Sequence, residues 1–361
     1  MYNNYSKPVW QIFSVILFTF SFIGCKECKI IQTGTILTFR KELSKDISNF
    51  DFFREKIIIP LEIKENALVD NNPSIVKDGE YFFIYSRNTS SPILRYDING
   101  NFINSIGNKG VGPNEYTEIL DIIIDEKKQS LKVLSYNSII HFSYDGMPIK
   151  NEKIDIPASS FTSVNNYYWF YTGNDNSYSD NRLFQTDTNF NVIKKYLSEK
   201  SNMFPMMEYN FKQSPYNTFR ESFYNNIYCI KEDTLSISYT VKFPDMEFPA
   251  EAHNISPMEV IEYLGQHHYA LIMCYLENDN YIYMQVSENN IASKQLFYHW
   301  IINKKNGEEY VINTDFIIDS YLISPQILSN DNKLYFLGYL IEDEKAVYSN
   351  ENPSIVIINL P

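Results

Sequence analysis

Three features of this 361-residue sequence predict an all-β chain folded as a six-bladed β-propeller of four-stranded antiparallel blades. The first is composition: 29 Tyr and 25 Phe stand against only 12 Gly, and aromatic residues suit the pleated, half-buried surfaces of strands. The second is a recurrence of a polar turn followed by a short apolar strand. The third is that the last copy lacks one strand, while a spare strand lies upstream of the first copy.

The turn-and-strand unit recurs six times. Asp78-Gly79 precedes Tyr81–Tyr85, Lys127-Lys128-Gln129 precedes Leu131–Leu134, and Asn165-Asn166 precedes Tyr167–Tyr171. Asn225-Asn226 then precedes Ile227–Ile230, Asn278-Asp279-Asn280 precedes Tyr281–Val286, and Asn330-Asp331-Asn332 precedes Leu334–Leu337. A period of roughly 40–50 residues with four strands per unit marks a propeller.

The first copy fills out as Pro73–Val76, Tyr81–Tyr85, Ile93–Tyr96 and Phe102–Ile106, strands A to D of one blade. The second reads Ile119–Ile124, Leu131–Leu134, Ile139–Phe142 and Met147–Ile156. The turns Asp97-Ile98-Asn99-Gly100 and Tyr144-Asp145-Gly146 join C to D, as Asn/Asp-Gly chemistry permits. The sixth copy supplies Tyr321–Leu328, Leu334–Leu337 and Pro353–Ile358 and then ends. Its missing D strand would leave an open edge, so Ile57-Ile58-Ile59 and Leu61–Ile63, upstream of the first copy, are expected to close the ring. Ser256-Pro257-Met258-Glu259 reads as a helix start, predicting one short helix near 257–264.

At the N-terminus Lys7 precedes an apolar run from Val9 to Ile23, short for a permanent span and laid out as a secretory signal. It ends in Phe22-Ile23-Gly24-Cys25, which resembles a bacterial lipobox. Residues 1–24 are therefore expected to be a lipoprotein signal peptide, with lipidation at Cys25, 25–50 a tether and 51–361 the propeller. Of the remaining cysteines, Cys28 sits in the tether, while Cys229 and Cys274 lie in apolar runs and read as buried thiols.

Arg95–Phe102 and Ser105–Tyr116 carry a pattern of strand, Asp-x-x-Gly, strand, then Ile-Gly-x-x-Gly-x-Gly-Pro. Here the chain resembles the six-bladed β-propeller lipoproteins of Gram-negative gut bacteria, themselves similar to NHL-repeat propellers. The resemblance implies a lipid anchor at the outer membrane, a propeller, and no established catalytic residues. Gly107, Gly110 and Gly112 are not followed by Gly-Lys-Ser/Thr or by a helix start, so they are read as a tight crossover between blades rather than a phosphate loop. Pro113, Glu115 and Tyr116 complete that crossover, the last two pinning it to the next blade.

A net charge of −13 argues against a nucleic-acid partner, since phosphate binding needs a concentrated basic surface. No cofactor or metal site is indicated. The long connections, 86–92, 173–182, 342–352, 107–118, 197–218 and 244–268, all fall between strands B and C or between blades. That places them on one face, the expected binding face. Candidate ligand-binding residues there are Tyr178, Arg182, Phe204, Tyr209, Tyr216, His267 and His268. The expected function is an envelope binding or interaction module accessory to glycan or peptide uptake. The alternative is a polysaccharide hydrolase or lyase acting on the same face.

Overall fold

In a computed structural model the chain forms six four-stranded antiparallel blades around a central axis. The structure describes residues 28 and 30–361 apart from 66, 71, 88, 90, 174–177, 199–200, 203–209, 292–294, 314–316, 319, 343–344 and 347–351. Blade 1 is Pro73–Asp78, Tyr81–Ser86, Ile93–Asp97 and Phe102–Ile106. Blade 2 is Asp121–Asp125, Ser130–Ser135, Ser138–Ser143 and Pro148–Lys153. Blade 3 is Ser160–Val164, Tyr167–Tyr171, Leu183–Thr186 and Val192–Tyr196. Blade 5 runs Tyr269–Glu277, Tyr281–Asn289, Leu296–Asn303 and Glu309–Asn313.

Apolar residues pack mainly between neighbouring blades. One core, for instance, joins Phe83 and Ile106 of blade 1 to Val133 and Phe142 of blade 2. This is where the tyrosines and phenylalanines go: alternate residues of a strand face the two adjoining blades, and aromatic rings fill the wedge between them.

Blade 6 consists of Tyr321–Leu328, Lys333–Glu342 and Ser354–Asn359, and its fourth strand comes from the N-terminal side. That strand is β3 (Ile57–Pro60), antiparallel to Ser354–Asn359 with Ile57 opposite Ile357 and Pro60 opposite Ser354. Ring closure is therefore as the incomplete sixth copy demands, with Ile57-Ile58-Ile59 as the donor and Leu61–Ile63 outside the strand. Asn352 latches the seam: its Nδ2 donates to Glu62 O and Ala67 O at 2.9 and 2.7 Å, and its Oδ1 accepts from Val69 N at 2.8 Å.

The tether expected over 25–50 gives way from Ile31 onward. β1 (Ile31–Thr38) lies parallel to Thr234–Lys242, and β2 (Ser44–Asp46) lies parallel to Glu309–Asn313 of blade 5. A four-residue helix, α1 (Asp51–Arg54), then buries Phe53 against blades 5 and 6. The segment thus follows the outer rim across blades 4, 5 and 6. Its mixed polar sequence concealed this, because an outer edge strand needs few buried side chains.

Blade 4 is shifted by one strand from the sequence reading. Thr218–Arg220 and Asn226–Lys231 are antiparallel neighbours, but the loop joining them carries Glu221, which meets Arg182 just before strand C of blade 3. The turn before Thr218 carries Ser214 and Tyr216, which bond Glu277 and Asp279 beside the A–B turn of blade 5. Thr218–Arg220 is therefore strand B, Asn226–Lys231 strand C and Thr234–Lys242 strand D, with β1 outside it. The innermost place is held by Asn210–Gln213, through a Phe211–Phe219 bridge and Arg220 N donating to Asn210 O at 3.1 Å. With one hydrophobe, Phe211, this strand left no apolar run to find.

The short helix is α2 (Val260–Gly265), beginning three residues later than the sequence suggests. Ser256 Oγ bonds the Glu259 carboxylate at 2.7 Å, side chain to side chain, and Pro257–Glu259 form a turn.

Candidate functional site

A cavity of about 490 Å³ opens on the axis at the face bearing the B–C and interblade connections. Its walls come from blades 1, 4, 5 and 6. Three cations line it: Arg87, directly after strand B of blade 1, Arg220, the last residue of strand B of blade 4, and Lys212 in the innermost segment of blade 4. Arg220 is held by Ile272 O at 2.7 Å and Met273 O at 3.1 Å, carbonyls of the inner strand of blade 5. The ladder there is interrupted between Ile272 and Cys274, which turns these carbonyls towards the guanidinium. Arg87 in turn donates to Leu120 O and Ser159 O, at the entry to blades 2 and 3. The two arginines therefore bind the inner ends of neighbouring blades and fix their own charges at the mouth.

Lys212 lies between this cavity and a second of about 220 Å³ on the side of the A–B turns. Burial pushes its pKa down; Asp121 acts in the opposite sense, while Arg87 and Arg220 lower it further. Below it Gln213 clips the backbone of Lys77, accepting from Lys77 N at 2.9 Å and donating to Lys77 O at 2.6 Å. The Asn210–Tyr216 segment thereby plugs the axis and leaves the larger cavity to open at one face.

Amides complete the lining: Asn72, Asn210, Gln285 and Gln326. Gln326 is committed, its Oε1 accepting from Ser74 Oγ and Ile75 N at 3.0 and 3.3 Å. Asp121, in the lining of the second cavity, is fully buried, and burial pushes its pKa up. It accepts from Tyr85 Oη at 3.2 Å, Ser160 Oγ at 2.5 Å, Ile122 N at 3.0 Å and Phe161 N at 3.1 Å, and so locks blades 1, 2 and 3 together.

The residues singled out from sequence lie elsewhere. Arg182 is buried in a two-pronged ion pair with Glu221, Nε to Oε1 at 2.7 Å and Nη2 to Oε2 at 3.1 Å. Burial pulls the Arg182 pKa down, but the facing carboxylate outweighs it and the net shift is upward. This pair joins blades 3 and 4. Tyr216 lies at the opposite face from the one expected, bonded to Asp279 at 2.6 Å with Lys304 over its ring, because its segment has crossed the axis. His267 Nδ1 meets Tyr263 O at 2.7 Å, closing α2. His268 Nε2 meets Glu288 Oε1 at 2.8 Å, beside Lys41 and Tyr298 on the same carboxylate. Neither histidine lines the axial cavity. Tyr178 is 41% exposed with its ring edge-on to Phe184, also off the axis. Phe204, Tyr209 and Cys25 lie outside the described residues. Cys229 and Cys274 are separate buried thiols.

In the crossover, Gly107 has φ +73°, and a Cβ there would sit 2.5 Å from the Tyr116 ring. Gly110 N donates to Tyr116 O at 3.0 Å, and Gly112 N donates to Glu115 Oε2 at 2.9 Å. Pro113 O accepts from Asn151 of blade 2, and Tyr116 is wholly buried between blades 1 and 2.

Arg87, Lys212, Arg220 and Gln285 escaped the sequence reading. One signal was present: Arg87 and Arg220 stand at the same mouth-side end of strand B in two blades, visible once blade 4 is set in register.

Residues 35–358 match the family described as Domain of unknown function (DUF4934). No curated protein sequence matches the chain. Among solved structures, a putative exported protein from Bacteroides fragilis superposes with a TM-score of 0.70 at 16% identity, over 85% of this chain and 95% of that one. A DUF4221 family member from Bacteroides vulgatus gives 0.53 at 12% identity, over 84% and 96%. At these identities the likeness is one of fold.

Proposed function

Starting from a chain that belongs to the DUF4934 family, we propose a lipid-anchored envelope β-propeller of the NHL-like kind that binds its ligand in the axial cavity. One observation carries the binding role: a cavity of about 490 Å³, within the usual range of small-molecule sites, is lined at one mouth by three cations and several amides. Such groups hold a ligand by charge and hydrogen bonding. A hydrolase or lyase needs a proton donor or acceptor poised at the substrate, and Asp121 is instead saturated by four hydrogen bonds.

The export reading rests on the N-terminal sequence and is in keeping with a Bacteroides fragilis protein of the same fold described as a putative exported protein. Cys28 N donates to Lys195 O at 3.0 Å on the outer strand of blade 3. A lipid on Cys25 would thus hold that edge within three residues, about 10 Å, of its attachment point. The ligand would be a glycan or peptide handled at the outer membrane.

Screening the purified chain against glycan and peptide panels tests the binding role, which requires at least one saturable ligand. Fractionation of cells carrying Cys25→Ala tests the anchor: the variant should leave the membrane fraction, and full retention would refute lipidation at that residue.

A further inference from the structure

We infer that the outer rim of blades 3 and 4 rests on an anionic lipid surface, so that the propeller axis lies along the membrane and the cavity mouth opens sideways. This rests on the lipid anchor proposed above and adds an orientation to it.

The place where the N-terminal segment meets the ring sets the geometry. Cys28 N donates to Lys195 O on the outer strand of blade 3, and Ile30 packs against the core between blades 3 and 4. β1 then runs along the outer strand of blade 4, with Ile31 opposite Ser236 and Thr38 opposite Lys242. A lipid on Cys25 is separated from Cys28 by three residues, which span at most about 10 Å. The polar headgroup layer alone takes up roughly 5–8 Å of that reach. So short a link cannot lift the ring clear of the lipid, and the stretch of rim that carries Cys28 must lie against it.

The chemistry of that stretch suits the contact. β1 and the outer strands of blades 3 and 4, residues 31–38, 192–196 and 234–242, contain Lys194, Lys195 and Lys242 and no Asp or Glu, in a chain with 44 acidic residues. The neighbouring Asp233 is paired with Lys194 at 2.7 Å. Ile31, Ile36 and Ile193 are 49%, 58% and 39% exposed on these strands. A single exposed isoleucine is ordinary, and Ile103 on the far rim, in blade 1, is one such residue. What sets this stretch apart is three of them among lysines, without a carboxylate, beside the anchored end of the chain. Apolar side chains sinking among headgroups and lysines drawn to anionic lipid are the two effects that seat a protein at an interface. The same lipid repels the acidic remainder of the surface, which disfavours the other orientations.

The test uses the chain purified from membranes, its acyl group checked by mass spectrometry, in vesicles of phosphatidylethanolamine and phosphatidylglycerol. In a Cys28→Ser background, with Cys229 and Cys274 buried, single cysteines take a fluorophore that nitroxide-bearing lipids quench at the bilayer surface. Ile36→Cys and Ile193→Cys probe the proposed contact. Ile103→Cys probes the far rim, Met147→Cys the C–D turn face and Met258→Cys the mouth face, all at exposed positions. Labels at 36 and 193 should be quenched and the other three left bright. Lys195→Gln should shift the ratio of quenched to unquenched populations at 193 about fivefold towards the unquenched, as one lysine near an anionic surface is worth. Equal quenching at all five positions, or quenching strongest at any of the three controls, would overturn the inference while leaving the anchor standing. Quenching at 36 and 193 that survives both Lys195→Gln and replacement of phosphatidylglycerol by phosphatidylcholine would overturn the part assigned to lipid charge. A chain with no acyl group on Cys25 would remove both the anchor and the orientation.

Discussion

Phe39 offers the sharpest test of the N-terminal segment as part of the ring. It follows β1, is 2% exposed, and sits edge-on to Phe243, Tyr298 and Trp300 at centroid distances of 5.8, 5.4 and 5.3 Å. These partners belong to blades 4 and 5, so one ring bridges two blades from outside. Truncating a buried Phe to Ala costs about 3–5 kcal/mol, and aromatic edge contacts add about 0.5–1.5 kcal/mol each beyond buried area. Phe39→Ala should therefore fall near the upper end, about 4–5 kcal/mol, a large share of a typical stability of about 5–15 kcal/mol. Urea unfolding followed by tryptophan fluorescence is the assay, since Trp300 is itself a contact. With a urea slope of roughly 3 kcal/mol per molar, the midpoint should drop by about 1.5 M. Ile36→Ala is the internal control: Ile36 is 58% exposed on β1 and should shift stability by less than about 0.5 kcal/mol. Equal, small shifts for both variants would refute the idea that this segment is built into the ring.

The ion pair between blades 3 and 4 is buried on both sides, with side chains 3% and 1% exposed. Glu221→Gln leaves the Arg182 charge without its carboxylate, and chemical denaturation should show a loss of about 3–5 kcal/mol. His299 is fully buried, Nδ1 meeting Tyr283 Oη at 2.6 Å, and burial lowers its pKa from 6.5 to about 3. Below pH 6.5 the unfolded chain takes up a proton that the folded chain refuses. Stability should therefore fall as pH drops from 6.5 towards about 3, by up to about 1.4 kcal/mol per pH unit from this group, and His299→Gln should reduce the slope of stability against pH. A chain beginning at Asp51 loses β1, β2 and Phe39 while keeping β3, so the outer edges of blades 4 and 5 are bared. Size-exclusion chromatography should show it self-associating where the full chain does not.

The architecture was legible because its signals are local and repeated. A polar turn before Tyr81, Tyr167 or Tyr281 can be recognised without knowing what it packs against, and the missing D strand follows from counting. What sequence hid depends on distant parts of the chain meeting. β1 and β2 are outer, mostly exposed strands, so they lack the apolar alternation that reveals inner ones. The innermost strand of blade 4, Asn210–Gln213, carries Lys and Gln because it borders a cavity, and its polarity disguised it as loop. That single slip moved Tyr216 to the wrong face. The histidines drew attention through chemical versatility, yet His267 and His268 are occupied by Tyr263 O and Glu288. The cavity is assembled from four blades, with Asn72 and Gln326 about 250 residues apart in sequence, and no local pattern announces such a meeting.

The account turns on the axial cavity as the place where ligand binds. Hydrogen–deuterium exchange of the full chain, with and without a ligand found in the glycan and peptide panels, reads this position directly. Slower exchange should appear in peptides covering 72–87, 210–220, 272–285 and 324–326, which come together only at that cavity. Protection confined to the outer strands, or to the turns between Thr186 and Val192 and between Lys231 and Thr234 on the opposite face, would contradict it.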